Sequence, residues 1–323
     1  MRRTWVRVAV AAIALSAFAV VLARANPARV VKAFGMMSWG WASAAALVNL
    51  LTVVADAARW RLVLSPVSQP SLLRTVQALL LGFTGNLVLP YKLGDGVRAV
   101  SLARWQGLPI ATVAATVILD RVIDAATFAV WAAALTMALE MPGRQSLVRA
   151  GIVVVILATL AAVTWWARRR TGAGRTHGQE DAGGFTARVL DGLRVLREGR
   201  LLPAIGAFAA LAWIGRAGVV WCMLQAFHLQ LPLLATISTL IAINVGISVV
   251  AAPANVGVYE VSAAGALAAW GVPSVVGISC GLAMHAAEIV PVLLLGVTVI
   301  VTTGVRLAGP ISSPATGQLT NTE

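Results

Sequence analysis

Charged residues that interrupt a long apolar run are the groups in this sequence best suited to chemistry. Asp120, Arg121 and Asp124 lie in the middle of the apolar run 110–139. Residues three and four apart share one face of a helix, so Asp120 and Asp124 are expected to lie together and Arg121 to bridge to Asp124. Charges deep in a bilayer cost at least about 2.5–3.5 kcal/mol each and therefore face a cavity or a partner. These three residues are candidates for binding a polar substrate or for a structural ion-pair network.

A second set of titratable residues lies in the C-terminal half. His285 and Glu288 interrupt the apolar run 274–305 at helical spacing, and Glu260 lies in the preceding segment. Arg216, in the middle of another apolar run, is a further candidate whose partner is expected to be Glu260 or Glu288. We expect all four to face a polar cavity, and His285 and the two glutamates could also carry protons.

The stretch GNLVLPYKLGDGVR, residues 85–98, breaks an apolar run that is too short to cross a bilayer. Asn86, Pro90 and Gly94 are predicted to shape the tip of a hairpin, and Asn86 is also a candidate for binding substrate. Asp95 and Arg98 follow the turn, where free backbone N–H groups and a guanidinium suit an anionic group such as a phosphate. The alternative is an arginine that extends to the membrane surface beside a capping aspartate.

The composition is that of a membrane protein. Of 323 residues, 59% are hydrophobic and only 11% are charged, whereas soluble domains carry about 25% charged residues. The net charge of +13 comes from short basic clusters beside apolar runs, which is typical of topology signals and not of a nucleic-acid surface. Two cysteines in apolar runs and three scattered histidines predict no disulfide, metal site or cofactor. No catalytic motif or P-loop is present, so we do not expect an enzyme.

The apolar runs predict an all-α, polytopic integral membrane helical bundle. A helix needs about 20 apolar residues to span the hydrocarbon core. The runs that qualify are 5–23, 36–58, 110–139, 147–167, 201–226 and 274–305. Two others, 75–90 and 232–252, end at Pro90 and Pro253 and are predicted to re-enter. Asp56, Arg59 and Arg61 at the end of run 36–58 are predicted to be interfacial anchors. The first run could also be a cleaved signal peptide, although an uncleaved helix is favoured.

The arginines predict the orientation in the cytoplasmic membrane. The positive-inside rule puts the basic N-terminus and Arg168–Arg170 in the cytoplasm. Both ends of run 75–90 are then cytoplasmic, so this run enters and returns. No Lys or Arg occurs between Arg216 and Arg306, so run 232–252 is expected to re-enter from outside. The C-terminus is then cytoplasmic as well.

Four regions follow from this pattern. They are an N-terminal membrane half (1–167), an arginine-rich cytoplasmic linker (168–200), a C-terminal membrane half (201–306) and a disordered tail (307–323). In the linker, Phe185, Val189, Leu193 and Leu196 line one helical face, which predicts a helix lying on an anionic leaflet. A solvated linker is the alternative.

The two membrane halves repeat one another. Pro90 and Gly94 are four residues apart, as are Pro253 and Gly257. Arg121 and Asp124 follow Pro109 by 12 and 15 residues, and His285 and Glu288 follow Pro273 by the same spacing. The offset is 163 to 164 residues. The two halves start their re-entrant segments on opposite sides, so the pattern predicts an inverted-topology repeat of the kind found in secondary transporters.

These motifs in combination resemble a known family over about residues 5–305. The similarity is to the transmembrane domain of lysylphosphatidylglycerol synthases and its stand-alone, flippase-like relatives. It is carried by Asn86…Pro90, Gly94-Asp95…Arg98, Asp120-Arg121…Asp124 and Pro253…Gly257…Glu260. The resemblance implies a multi-span bundle with re-entrant elements that moves a phospholipid between leaflets.

The chain departs from the family pattern at three positions. Asp120 stands where a glutamate is usual, Tyr259 where an arginine is frequent, and His285 where a basic residue is expected. The sequence ends at residue 323 without the soluble aminoacyltransferase domain of the synthases, so lysyl transfer is not expected of it.

The sequence therefore favours a translocase of an anionic phospholipid or lipid-linked glycan. One alternative is a scaffold or accessory subunit for a cell-envelope lipid or glycan enzyme, with a glycosyltransferase as the partner; a closed, self-paired polar cluster would favour it. Another is an intramembrane lipid-phosphate enzyme that uses paired carboxylates as acid and base. The sequence predicts neither the lipid nor the oligomeric state.

Overall fold

The computed structural model describes residues 28, 32, 34–88, 93–138, 185–249 and 252–303, and every regular element in these ranges is helical. The α-helices are α1 Trp39–Leu64, α2 Leu72–Val88, α3 Gly94–Gln106, α4 Ile110–Ala138, α5 Phe185–Gly192, α6 Leu202–Ala226, α7 Leu233–Val249, α8 Val258–Ala268 and α9 Ser274–Thr303. Short 3-10 turns occur at Arg194–Arg197, Gly199–Leu201 and Pro253–Asn255.

Three of these stretches are long and apolar enough to cross a membrane. They are α1, the stretch Gly199–Ala226 that contains α6, and α9. Helix α4 is 29 residues long but carries three charged residues near its middle. The prediction of an all-α membrane fold is confirmed. The predicted spans 5–23 and 147–167 and the tail 307–323 lie outside the described residues.

Helices α2 and α3 form a hairpin of two short helices. Helix α2 has 17 residues, about 26 Å at 1.5 Å per residue, which is less than the roughly 30 Å of the hydrocarbon core. The Gly94 N–H at the start of α3 donates to Asn86 Oδ1 at 2.8 Å. A methyl group at Gly94 would overlap the Gly82 carbonyl, so the close approach requires glycine. Pro90, at the predicted tip, lies outside the described residues.

The C-terminal half contains helices of matching length. Helix α7 also has 17 residues and is followed by the short helix α8, against which it packs through Gly246 and Ser262. Helix α9, with 30 residues, corresponds to α4. The order of a long helix, two short helices and a long helix therefore occurs twice in the described chain.

The same helix stop ends both short hairpins. Gly107 ends α3 with φ at 64°, and the next N–H, that of Leu108, donates to the Ala103 carbonyl at 2.9 Å. In the second half Gly271 has φ at 80°, and the following N–H donates to the Leu267 carbonyl at 3.2 Å. Glycine adopts this left-handed conformation without strain. Two residues after each glycine a proline directly precedes the next long helix, at Pro109 and Pro273.

Helices α1 and α6 pack antiparallel along their length. Ser38, before the start of α1, donates its N–H to the carbonyl of Ala226 at the end of α6, at 2.8 Å. Further along, Thr52 of α1 packs against Gly215 of α6, where there is no room for a side chain. Buried residues of both helices belong to two apolar clusters, one toward α2–α4 and the other toward α7–α9.

The predicted interfacial helix is partly covered by protein. Helix α5 packs on α4, because Gly192 lies against the Thr112 carbonyl. Beyond it, Val195 and Leu196 are 1% and 3% exposed and belong to the apolar core. The apolar residues at this end of the segment therefore contact the bundle.

Candidate functional site

Four arginines and four aspartates form one continuous buried network, which we call the aspartate–arginine cluster. Its members come from α1, α3, α4 and α6, and their formal charges cancel. They are Asp56, Arg59, Asp95, Arg98, Asp120, Arg121, Asp124 and Arg216. Five of them were predicted as site residues within the N-terminal half and one within the C-terminal half.

Arg59 is the centre of the cluster. Its Nε donates to Asp120 Oδ1 at 2.8 Å and its Nη1 to Asp124 Oδ1 at 3.1 Å. A third carboxylate, that of Asp56, lies 3.4 Å from Nη2. One guanidinium thus holds carboxylates of α1 and α4 together, and the prediction that Asp120 and Asp124 share a face is confirmed.

The prediction that Asp56 and Arg59 are interfacial anchors is wrong. Helix α1 continues to Leu64, six residues beyond the predicted end of the span, and Trp60 is fully buried. Asp56 and Arg59 are 4% and 2% exposed. The span was predicted to end here because the hydropathy of the sequence falls at these charged residues. In the structure, partners from α4 and α6 neutralise these charges within the protein.

Arg98 is enclosed by its partners. Its Nη1 donates to Asp120 Oδ2 at 3.2 Å, and its Nε lies 3.2 Å from Asp95 Oδ1. The guanidinium lies over the ring of Trp60, 4.9 Å from the centroid. Arg98 is 1% exposed, and its Nη2 has no hydrogen-bond partner among the described residues.

Arg121 pairs with Asp95, and the predicted bridge from Arg121 to Asp124 is wrong. Arg121 donates from Nε and Nη2 to the two oxygens of Asp95, at 2.9 and 2.7 Å. This two-pronged geometry is the strongest that a guanidinium and a carboxylate can form. Asp124 instead accepts from Arg59 and from Trp213 Nε1, the latter at 3.2 Å.

The predicted partners of Arg216 are also wrong. Arg216 donates from Nη2 to Asp56 Oδ2 at 2.8 Å, and its Nη1 lies 3.5 Å from Asp124 Oδ1. The antiparallel packing of α1 and α6 brings Asp56 to Arg216, whereas Glu260 is held by a different partner. This contact joins the two halves of the chain.

The cluster has a closed centre and a more accessible rim. The side chains of Arg59 and Asp120 are 2% exposed. By contrast Arg121 is 41% exposed and its partner Asp95 is 29% exposed. Arg216 and Asp124, at the other end, are 24% and 20% exposed. Only the rim is open to a ligand in this conformation.

Three further predicted residues, together with a tyrosine that was not predicted, form a second site, which we call the glutamate–histidine cluster. It consists of Tyr259, Glu260, His285 and Glu288, from α8 and α9. Glu260 Oε1 lies 2.7 Å from His285 Nδ1, while Tyr259 donates its hydroxyl to Glu288 Oε1 at 2.6 Å. The rings of Tyr259 and His285 are stacked, with centroids 4.4 Å apart.

The predicted turn residues of the second half lie at the start of α8. Pro253 begins the 3-10 turn Pro253–Asn255, and Gly257 is the N-cap of α8 with φ at 84°. The Gly257 N–H donates to Glu260 Oε2 at 2.6 Å, so Glu260 also caps its own helix. A polar oxygen therefore satisfies the glycine N–H at the start of both α3 and α8.

An asparagine of α1 compensates for a proline in α9. Pro291 lacks the N–H that would bond to the Ala287 carbonyl four residues earlier. Asn49 Nδ2 donates to the carbonyls of Ala287 and Glu288 at 3.4 and 3.0 Å. The backbone hydrogen bond that Pro291 removes from α9 thus lies directly beside the glutamate–histidine cluster, and α1 supplies the substitute donor.

Sequence reasoning missed Asp56, Arg59, Tyr259 and Asn49 as functional candidates. The i, i+3 spacing of Asp56 and Arg59 beside an apolar run was a usable signal. Asn49 and Tyr259 have partners 25 or more residues away, so no local pattern identifies them. In the described part of the chain, no group of three or more His, Cys, Asp or Glu residues could hold a metal ion.

The chain was compared with known proteins and with protein-family models. A comparison with curated proteins found no matching relative. A family model described as the lysylphosphatidylglycerol synthase TM region, a membrane domain associated with lipid modification or transport, matches residues 5–296. The match covers nearly the whole chain, including both clusters. The chain therefore belongs to the family of the lysylphosphatidylglycerol synthase transmembrane region.

Proposed function

We propose that the protein is a translocase that moves a phospholipid or a lipid-linked glycan across the cytoplasmic membrane. In this proposal both termini are cytoplasmic, and the headgroup crosses beside the aspartate–arginine cluster. The lipid-associated family to which the chain belongs supports a lipid as the substrate.

The partly exposed rim of the aspartate–arginine cluster is the observation that carries this proposal. Arg121 lies near the middle of a 29-residue helix and is 41% exposed. An exposed charge at this depth is unfavourable against hydrocarbon, so it requires water or a polar ligand. Arg121 and Asp95 together offer both a donor and an acceptor to a zwitterionic or anionic headgroup. Arg98, fully enclosed, would hold the rim in position.

The arrangement of the helices supports an inverted-topology repeat. Corresponding helices of two inverted halves run in opposite directions, and α1 and α6, which start 163 residues apart, pack antiparallel. The two hairpins have 17-residue first helices and matching glycine stops. Such folds move substrates by rocking one half against the other around a central site.

A lipid-movement assay tests the proposal. Purified protein in vesicles with fluorescent phospholipid or undecaprenyl-type lipid should increase exchange between leaflets above protein-free vesicles. Arg121→Gln should slow it about tenfold or more, since a charge-assisted hydrogen bond is worth about 1.5–3 kcal/mol. Arg200→Gln, at an arginine that is 83% exposed outside the long helices, is the matched control. No movement of any of these lipids by the wild-type protein would overturn the proposal.

One observation favours a second function, that of a scaffold for a cell-envelope glycosyltransferase. Every charge of the aspartate–arginine cluster has a partner within the cluster, as expected for helices that are locked together. A scaffold would bind a glycosyltransferase at fixed stoichiometry in native membranes. It would also keep its cellular role with Arg121→Gln, whereas a translocase would lose it.

A further inference from the structure

The two clusters differ in the kinds of side chain that they contain. The aspartate–arginine cluster contains four arginines, which stay protonated in proteins, and four carboxylates that they neutralise. The glutamate–histidine cluster contains two carboxylates, an imidazole and a phenol. Within the described residues, none of its four side chains is hydrogen-bonded to Arg or Lys. An imidazole is the ordinary side chain that gains or loses a proton near neutral pH, and of the two clusters only the glutamate–histidine cluster contains one.

The contacts of Glu260 fix the orientation of His285. One carboxylate oxygen is held by the Gly257 N–H, and the other faces His285 Nδ1 at 2.7 Å. A carboxylate at this distance keeps a proton on Nδ1 and leaves Nε2 as the free acceptor. A proton that binds Nε2 would form an imidazolium directly paired with Glu260.

Tyr259 connects this pair to the second carboxylate. Its ring stacks on His285 with an angle of 2° between the planes, while its hydroxyl donates to Glu288. A protonated imidazole would therefore lie against the face of an aromatic ring, where a cation is stabilised. The four side chains form one unit, so their protonation steps are shared and do not belong to single residues.

The surroundings of the cluster favour uptake of a positive charge. Helix α8 contributes Tyr259 and Glu260, and α9 itself contributes the thiol of Cys280 near Tyr259. Helix α6 contributes Arg216, which acts electrostatically on Glu288 but is paired with Asp56. Helix α1 contributes only the neutral amide of Asn49. With both glutamates ionised and a neutral histidine the cluster carries two negative charges, and one bound proton halves this buried charge.

We propose that the glutamate–histidine cluster is a proton-binding site that couples lipid movement to a proton gradient. This inference rests on the proposed function, and it identifies the proton as the coupling ion. In each transport cycle one proton binds the cluster from one side of the membrane and is released on the other side. Pro291, three residues after Glu288, removes one backbone hydrogen bond from α9 and lets this helix bend between the two states.

A transport assay with an imposed pH gradient tests the coupling. In vesicles that contain a trapped pH dye, the wild-type protein should move lipid faster with a gradient than without one and should carry protons. His285→Gln and Glu288→Gln should abolish both the acceleration and the proton flux. Glu198→Gln, the same substitution outside the cluster, should retain both. Lipid movement at the same rate with and without the gradient, and no proton flux, would overturn the proposed coupling but not the proposed translocase. No lipid movement at all would overturn the translocase itself.

An infrared pH titration of the purified protein tests proton binding without any transport. Between about pH 5 and pH 8, a wild-type difference spectrum should contain carboxyl or imidazole bands that are lost in Glu288→Gln or His285→Gln. Tyr259→Phe keeps the ring but removes the hydroxyl, so it should shift the midpoint of this titration. A wild-type spectrum with no such bands, or bands that persist in both Glu288→Gln and His285→Gln, would show that the cluster does not bind the proton.

Discussion

At the scale of single residues, the aspartate–arginine cluster is held together by one guanidinium that lies between three carboxylates. Arg59 contacts Asp56, Asp120 and Asp124 while only 2% exposed. Removal of one member of a buried ion pair leaves an uncompensated charge and typically costs about 3–5 kcal/mol. Arg59 is therefore the residue at which the fold should be most sensitive to the loss of a charge.

We expect Arg59→Gln to lower the free energy of unfolding by about 3–5 kcal/mol because its carboxylate partners become unpaired. Thermal unfolding in detergent, followed by tryptophan fluorescence, measures this. Arg61→Gln is the matched control two residues later, since Arg61 is exposed and donates only to the Pro70 carbonyl at 2.8 Å. Its cost should stay below about 1.5 kcal/mol. Equal losses for the two variants would contradict the central role of Arg59.

The residues of the cluster were more predictable than their partners. Intramembrane charges stand out against an apolar run, so Asp120, Arg121 and Asp124 were identified directly. Partner choice depends on which helices pack together, and the i, i+3 pair Arg121–Asp124 lost to a bidentate contact with Asp95 from α3. No local pattern encodes that contact.

At the scale of elements, the hairpin of α2 and α3 requires a glycine at its closest approach. Gly94 lies against the Gly82 carbonyl and the backbone of Asn86. The position of this turn was predictable, because glycine and proline interrupt an apolar run of limited length. The close contact itself was not predictable, because it depends on how the two helices pack.

We expect Gly94→Ala to reduce the stability by about 1–3 kcal/mol or more, because the added methyl group forces the two helices apart. Gly96→Ala, in the same helix, is the control, since no atom lies within 4 Å of its added carbon. It should be neutral or should stabilise the helix by up to about 1 kcal/mol. Unfolding temperatures of the two variants in one detergent make the comparison, and a harmless Gly94→Ala would refute the close packing.

The proline inside α9 gives a second prediction at this scale. Asn49→Ala should cost about 1–3 kcal/mol because it leaves the Ala287 carbonyl buried without a donor. In a Pro291→Ala background the restored backbone N–H supplies that donor, so the same Asn49→Ala change should cost less. A double-mutant cycle on unfolding free energies should give a coupling of about 0.5 kcal/mol or more. Additive effects would show that Asn49 does not compensate for the proline.

At the scale of the whole molecule, inverted halves require equivalent positions on opposite sides of the membrane. Arg104 at the end of α3 and Ala268 at the end of α8 are 164 residues apart, and both are exposed. We expect Arg104→Cys to react with a membrane-impermeant maleimide from the cytoplasmic side and Ala268→Cys from the outside. Both variants are made with the buried Cys222 and Cys280 replaced by alanine. Labelling of both from the same side would refute the inverted repeat.

The contact between Asp56 and Arg216 also has a consequence for how the protein is made. The N-terminal half supplies four aspartates to the cluster but only three arginines, and the fourth arginine is synthesised 160 residues after Asp56. At roughly 5–20 residues per second, that interval is roughly 8–30 s. During this time the part of the cluster already made carries one negative charge in excess, and Asp56 lacks its contact with Arg216. The cluster becomes neutral only when α6 has been added, so the second half of the chain completes the charge balance of the first.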